Sequence, residues 1–271
     1  MSNRPFAPLV RALGACAFLL GAASLAAQPA LIRAHAHNDY QHARPLLDAL
    51  ERGYASIEAD VWLVDGRLLV AHARDSVVTD RTFERLYLAP LRDALAHDTS
   101  GRYTAAAPLV LLIDIKSNAD STYAALEPLL HRYADVLTSF AGEHREARPV
   151  LAVLSGNRPI ATVRAARERT ATLDGRLPDL VDRHAPPAAV MPLVSASWDD
   201  VTKWRGDGPV PPKARAAVVR AVARAHAQGR RLRYWGTPDD ERVWQMLYDG
   251  GVDLLNADDL DRLRSFLARQ R

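Results

Sequence analysis

The strongest constraint on the fold is a regular alternation of short, apolar, β-branched runs with longer segments of helical period. The runs predicted as strands are residues 31–35, 55–62, 68–72, 109–115, 150–154, 171–173, 190–194, 231–235 and 252–255. The predicted helices include residues 45–52, 121–138, 159–169, 213–228, 239–248 and 259–271. Asp65-Gly66 joins the second and third runs as a hairpin.

With that hairpin counted as an elaboration of strand 2, eight strand-then-helix units remain. Strands that alternate with helices indicate a parallel sheet, and eight units predict a closed TIM (β/α)8 barrel of the α/β class. The weakest strand surrounds Thr172. Without it, the alternative is an open, doubly wound sheet.

The first 27 residues have the pattern of a secretory signal peptide. Arg4 and Arg11 precede an apolar run over residues 13–23, and small residues follow at 24–27. A membrane-spanning helix needs about 20 apolar residues, and this run is shorter. We therefore expect an exported protein, periplasmic or secreted, with one barrel domain over residues 28–271 and at most peripheral membrane contact.

Charge and cysteine content give no support for a nucleic-acid partner or for disulfides in the mature protein. Loss of the leader removes two arginines and takes the formal net charge from +3 to +1. This balance gives no indication of a nucleic-acid partner. The one cysteine, Cys16, lies inside the leader, so we expect no disulfide in the mature chain.

Polar pairs interrupt three of the apolar runs near their ends, where a barrel carries its catalytic groups. Residues two apart on a strand share a face, and the pairs with this spacing are His35 with His37, Glu58 with Asp60, and Asp114 with Lys116. Neighbouring buried carboxylates repel each other unless a cation lies between them. Glu58, Asp60 and Asp114 are therefore the predicted ligands of one hard divalent cation, Mg²⁺ or Ca²⁺.

Histidines near the same strand ends are candidate acid/base catalysts. Hydrolysis of a phosphodiester needs one group to take a proton from the nucleophile and another to give one to the leaving alkoxide, and histidine can do either near neutral pH. His72 ends the hairpin strand, close to the predicted position of His35 and His37. The cation would hold a phosphate oxygen, and Lys116 would add a positive point charge.

These residues lie in motifs that resemble the PI-PLC-like phosphodiesterase superfamily, which includes glycerophosphodiester phosphodiesterases and sphingomyelinases D. The greatest similarity is to the altered inheritance of mitochondria protein 6 family. The motifs are HAHNDY at 35–40, GYASIEADVW at 53–62, LVAH at 69–72, DIK at 114–116, YWGTP at 234–238 and GVDLLN at 251–256. The resemblance implies a metal-dependent phosphoric diester hydrolase that acts on a small-molecule or lipid phosphodiester.

The same resemblance implies roles for individual residues. Glu58, Asp60 and Asp114 match the metal ligands, and His72 with one first-strand histidine matches the acid/base pair. His35 is slightly favoured because Asn38 follows it by three residues, as in the sphingomyelinases D, whereas His37 has the closer spacing to Glu58. Candidate substrate-binding residues are Asn38, Lys116, Trp235 and Asn256.

The chain departs from the glycerophosphodiesterases at two places. Ala36 stands where those enzymes carry an arginine that holds phosphate, and their Pro-Glu-Asn segment is missing. The substrate class is therefore left open among glycerophosphodiesters, phospholipids and related diesters.

Two other functions remain as alternatives. A His-x-His metallohydrolase, of the amidohydrolase or polymerase-and-histidinol-phosphatase kind, would need further histidines at later strand ends, where this chain has Ser155, Asp174, Ser195, Trp235 and Asn256. A barrel that binds a phospho-ligand without turning it over is the second alternative.

Overall fold

The structure is a computed structural model that describes Met1 and residues 31–270. The predicted signal peptide, residues 1–27, and Cys16 therefore lie outside the described residues, apart from Met1. Within the described residues, no helix is long and apolar enough to cross a membrane.

The described part of the chain forms strands and helices in alternation. The strands are β1 (Leu31–Ala36), β2 (Tyr54–Val64), β3 (Arg67–Val70), β4 (Leu109–Ile115), β5 (Ser139–Ala141), β6 (His144–Glu146), β7 (Val150–Gly156), β8 (Glu168–Arg169), β9 (Ala171–Gly175), β10 (Leu193–Ser197), β11 (Arg231–Trp235) and β12 (Leu255–Ala257). The α-helices are α1 (Leu47–Glu51), α2 (Ala89–Ala96), α3 (Ala119–His131), α4 (Ile160–Ala165), α5 (Trp198–Val201), α6 (Pro212–Ala227), α7 (Glu241–Asp249) and α8 (Leu260–Ala268).

Eight parallel strands form the barrel, in the order β11-β10-β9-β7-β4-β2-β1-β12. An isolated parallel bridge between Arg233 and Leu254 joins the two ends of this order. The predicted TIM barrel is thus confirmed. The hairpin is confirmed as well, because β3 pairs antiparallel with β2 through a turn in which Asp65 and Gly66 both have positive φ.

The inside of the barrel is divided into an apolar part and a polar part. The apolar part, here called the floor, consists of five buried residues: Val110, Leu112, Val153, Leu193 and Leu254. Polar side chains occupy the same strands nearer their C-terminal ends, which together form the mouth of the barrel. The floor therefore places the polar layer in a cavity closed at one end.

Two strands and two helices have bounds that differ clearly from those predicted by the sequence. The sixth barrel strand, β10, covers 193–197 instead of 190–194, because Pro192 has no amide hydrogen to donate to the ladder. The last strand begins at Leu255 instead of Val252. The helices predicted over 121–138 and 159–169 end at His131 and Ala165, and the small antiparallel sheet β6-β5-β8 occupies residues beyond both.

Candidate active site

Three carboxylates converge at the mouth. Glu58 and Asp60 are on β2, and the strand register aligns Asp60 with Asp114 of β4. One oxygen from each of Glu58, Asp60 and Asp114 lies within 4.8 Å of the others. The structure thus brings together the residues that the sequence predicted as metal ligands.

Two oxygens of this cluster lack a hydrogen-bond partner among the residues that the structure describes. Asp60 Oδ1 and Asp114 Oδ1 are both buried and unpartnered, whereas Lys116 Nζ lies 3.2 Å from Asp60 Oδ2 and 2.8 Å from Asp114 Oδ2. A buried carboxylate oxygen without a partner costs free energy. The donor set, all oxygen and partly unsatisfied, fits a hard divalent cation.

The pKa values of the two aspartates reflect the same crowding. Burial, with the charge of Glu58, raises the pKa of Asp60 to about 6 despite the nearby Lys116. The pKa of Asp114 is raised by burial and by the charge of Glu58 in the same way. Because a cation between the carboxylates would favour their charged forms, both shifts are consistent with a site built for one.

Glu58 has two buried partners, one of which the sequence analysis missed. Arg233 of β11 extends across the barrel, and its Nη1 donates to Glu58 Oε2 at 2.6 Å. His35 Nε2 lies 2.8 Å from the same oxygen. Burial would raise the pKa of Glu58, but the charge of Arg233 and the hydrogen bond from His35 outweigh it and hold that pKa well below its usual range.

His35 is enclosed in the barrel and has contacts at both ring nitrogens. Its side chain is 0% exposed. Nδ1 lies 2.7 Å from Ser56 Oγ, and Nε2 contacts Arg233 Nη1 as well as Glu58. Burial and the charge of Arg233 lower the pKa of His35 to about 3. A neutral, fully enclosed imidazole holds Glu58 in place but has no nitrogen open to a ligand.

His37 lies nearer the surface, beside a carboxylate from the end of the chain. Its side chain is 27% exposed, and Nδ1 lies 2.9 Å from Asp258 Oδ1. Burial acts to lower the pKa of His37, but the hydrogen bond and charge of Asp258, with the charge of Glu58, outweigh it and raise that pKa. His37 is thus the first-strand histidine that is both accessible and partnered on one nitrogen.

His72 lies just beyond β3, with its side chain 65% exposed. The Tyr40 hydroxyl lies 3.0 Å from His72 Nδ1, 2.8 Å from Asp60 Oδ2 and 2.8 Å from Asn38 Oδ1. Asn38 Nδ2 in turn lies 3.0 Å from His37 Nδ1. Tyr40, which the sequence analysis did not single out, therefore connects both accessible histidines to the carboxylate cluster.

Two further candidates line the mouth. Asn256 is 3% exposed, and the register places it beside His35. Within residues 31–270, neither its amide nitrogen nor its amide oxygen has a hydrogen-bond partner. Trp235 ends β11 and is 42% exposed.

The position of Asp114 depends on a glycine in the neighbouring strand. Gly156 ends β7 with φ +64°, and a Cβ built there would lie 1.9 Å from Asp114 Oδ1 and 2.5 Å from the Ile115 carbonyl oxygen. A residue without a side chain is required for both reasons. The end of β7 is thus shaped around the third carboxylate.

Sequence comparison gives the family. Residues 24–174 match the AIM6-like phosphodiesterase domain. The chain belongs to this family. Altered inheritance of mitochondria protein 6 homolog from Arthroderma benhamiae is 30% identical, over 87% of this chain and 83% of the homolog. The protein of that name from Eremothecium gossypii is 32% identical, over 88% and 70%.

Solved structures support the fold. A glycerophosphodiester phosphodiesterase from Parabacteroides distasonis superposes with a TM-score of 0.53 at 14% identity, covering 90% of this chain and all of that one. One from Agrobacterium tumefaciens gives 0.50 at 16% identity, covering 88% and 100%. The AIM6-like domain thus has the same barrel fold, and the resemblance expected from the motifs is confirmed.

Proposed function

We propose that this protein hydrolyses phosphodiesters with the help of one hard divalent cation, Mg²⁺ or Ca²⁺, held by Glu58, Asp60 and Asp114. The observation that carries the proposal is the cluster of three carboxylates with two buried, unpartnered oxygens. When bound, the cation would hold a phosphate oxygen and offset developing negative charge. Lys116, already beside two of the three carboxylates, adds a positive charge at the same place.

His37 and His72 are the proposed acid/base pair. Both are partly exposed, and each has a carboxylate or hydroxyl at Nδ1 that orients the ring. The sequence slightly favoured His35 as the first-strand acid/base residue. We propose His37 instead, because both nitrogens of His35 are engaged and its side chain is enclosed. His35 acts instead on Glu58, which it orients together with Arg233.

The proposed substrate is a small-molecule or lipid phosphodiester. Asn256 offers its amide NH2 group as donor and its amide oxygen as acceptor to such a ligand, since neither has a partner in the described part of the chain. Trp235 supplies exposed apolar surface at the mouth, and Asn38 lies between His37 and Tyr40. These three residues form the proposed substrate contacts around the cation site.

The carboxylate cluster also favours this proposal over a His-x-His metallohydrolase. Among residues 31–270, the group found with ligand spacing contains carboxylates and no histidine. His35 and His37 have separate partners, Glu58 and Asp258. An oxygen-only set suits Mg²⁺ or Ca²⁺ better than the zinc that histidines prefer.

The test is turnover of bis(p-nitrophenyl) phosphate by the purified protein with Mg²⁺ or Ca²⁺, followed by a panel of glycerophosphodiesters and phospholipids. We expect hydrolysis that a chelator abolishes, and a loss of at least about a hundredfold in Glu58→Gln. The matched control is Glu168→Gln on β8, outside the barrel, with wild-type turnover expected.

Two outcomes would contradict the proposal. Cation-dependent binding of diesters without turnover would indicate a ligand-binding barrel, and stoichiometric zinc recovered in place of Mg²⁺ or Ca²⁺ would indicate the other metallohydrolase class. Phosphorus NMR of the products distinguishes a free phosphate from a cyclic one and so identifies the attacking nucleophile.

A further inference from the structure

The Tyr40 hydroxyl is buried among three polar groups and has one proton to donate. Tyr40 is 5% exposed, and its backbone is held by Arg81, whose Nη2 donates to the Tyr40 carbonyl at 2.6 Å. Asp60 Oδ2, Asn38 Oδ1 and His72 Nδ1 all lie within 3.0 Å of the hydroxyl oxygen. The distribution of protons in this group therefore determines the state of His72.

Two acceptors, Asn38 Oδ1 and Asp60 Oδ2, compete for the single hydroxyl proton. Asp60, when ionised, accepts hydrogen bonds and donates none, and hydrogen bonds to a charged acceptor are the stronger ones. The hydroxyl proton therefore points to Asp60 Oδ2. A lone pair of the hydroxyl oxygen then faces His72 Nδ1, and Asp60 Oδ2 itself lies 3.3 Å from the same nitrogen. An unprotonated His72 Nδ1 would face only acceptors, the Tyr40 hydroxyl oxygen and Asp60 Oδ2. Nδ1 therefore carries the hydrogen.

We propose that Tyr40 is a positioning residue for His72: its hydroxyl donates to Asp60 and accepts from His72 Nδ1, which fixes the tautomer with a bare Nε2 on the exposed edge of the ring. The inference rests on the acid/base role proposed for His72 and adds the residue that sets its tautomer. A neutral histidine can take a proton only at its unprotonated nitrogen. Holding the hydrogen on Nδ1 keeps Nε2 ready to take a proton from the nucleophile, while His37 gives one to the leaving alkoxide.

The direct test reads the tautomer and needs no activity. Long-range proton–nitrogen NMR on the purified protein labelled with ¹⁵N-histidine distinguishes Nδ1–H from Nε2–H, and the His72 signals are assigned by their loss in His72→Gln. We expect the Nδ1–H form in the unaltered protein and a substantial population of Nε2–H in Tyr40→Phe. Tyr234→Phe is the matched control, because it removes a buried hydroxyl from the outer side of the barrel, beside Trp198, and should leave the Nδ1–H form unchanged.

Either of two results would overturn the inference. One is an Nε2–H form of His72 in the unaltered protein, which needs no variant to fold. The other is an unchanged Nδ1–H form in folded Tyr40→Phe, which would mean that Asp60 alone determines the tautomer.

Kinetics separate this inference from the proposed function. Tyr40→Phe should lower kcat about tenfold or more with little change in KM, as expected for loss of an orienting partner. In a His72→Ala background the same change should have no further effect, because Tyr40 acts through His72. Full activity of His72→Ala would disprove the acid/base role of His72, whereas additive losses in the double variant would disprove the action of Tyr40 through it.

Discussion

Arg233 Nη1 lies 2.6 Å from Glu58 Oε2, and this ion pair spans the barrel from β11 to β2. The two side chains are only 3% and 4% exposed. Arg233 Nε also donates to Ser195 Oγ at 3.2 Å, which anchors the guanidinium to β10. The pair therefore keeps Glu58 charged and links two non-adjacent strands of the barrel at the cation site.

Replacing Arg233 should uncover an unpaired buried charge. In Arg233→Met we expect the free energy of unfolding, measured with urea in the presence of chelator, to fall by about 3–5 kcal/mol. Added Mg²⁺ should recover part of that loss, because a ligand that binds the folded state stabilises it. Arg242→Met is the control: its ion pairs are exposed, so little change in the free energy of unfolding is expected. An Arg233→Met protein with wild-type stability, and no further stability on addition of Mg²⁺, would disprove the prediction that Arg233 compensates the buried charge of Glu58.

A side chain at Gly156 should displace Asp114. Gly156→Ala would suffer both backbone strain and overlap with Asp114 Oδ1, and titration calorimetry should detect at least a tenfold weaker affinity for Mg²⁺ or Mn²⁺. Gly142→Ala has the same strain without the overlap, because Gly142 has φ +62° and no atom lies within 4 Å of the place that its Cβ would take. We expect it to lose about 1 kcal/mol of stability and to keep wild-type metal affinity. Equal metal affinity in the two variants would contradict the proposed metal role of Asp114.

The pH profile should identify the first-strand histidine that transfers protons. Asp258 raises the pKa of His37, so Asp258→Asn should lower it and shift the corresponding limb of the kcat/KM profile to lower pH. Asp249→Asn removes a carboxylate that contacts Gln245 on α7 and should leave the profile unchanged. His37→Gln should reduce kcat at least about a hundredfold. An unchanged pH profile of kcat/KM in Asp258→Asn would indicate that His35, and not His37, is the first-strand residue that transfers protons.

Asp39 should make the protein less stable as pH rises. Burial raises the pKa of Asp39 to about 7, although the Leu46 amide and the Tyr87 hydroxyl both donate to it. A folded-state pKa above the unfolded value stabilises the protein below the unfolded value, near pH 4, and this contribution is lost as pH rises through about 7. The full loss is on the order of 4 kcal/mol.

Asp39→Asn should remove this dependence, so that the variant gains stability relative to the wild type as pH rises from about 4.5 to about 8 in urea titrations. Asp98→Asn, at an exposed carboxylate that caps a turn, should keep the wild-type slope. If the free energy of unfolding changed with pH equally in Asp39→Asn and in the wild type, Asp39 would be excluded as the source of the pH dependence.

The sequence was sufficient for the barrel and for the carboxylate cluster because both follow from strand periodicity. Glu58 and Asp60 are two residues apart on one strand, and Asp114 is in register on the next. Local patterns of this kind are visible in a single sequence.

The partners of these residues were not predictable in the same way. Arg233 lies in a strand that looks apolar apart from two arginines, and its contact with Glu58 joins strands far apart in the sheet order. The different surroundings of His35 and His37 were also not predictable from strand periodicity. β1 ends at Ala36, so the alternation that places both histidines on one face stops before His37, which turns toward Asp258.

The apolar floor also determines how molecules travel to and from the site. The barrel is closed below the polar layer by Val110, Leu112, Val153, Leu193 and Leu254, so the described residues leave no passage along its axis. The diester substrate and both products must therefore all pass through the mouth of the barrel. Each fragment therefore blocks the next arrival until it leaves, and we expect both products to act as competitive inhibitors of the reaction that forms them.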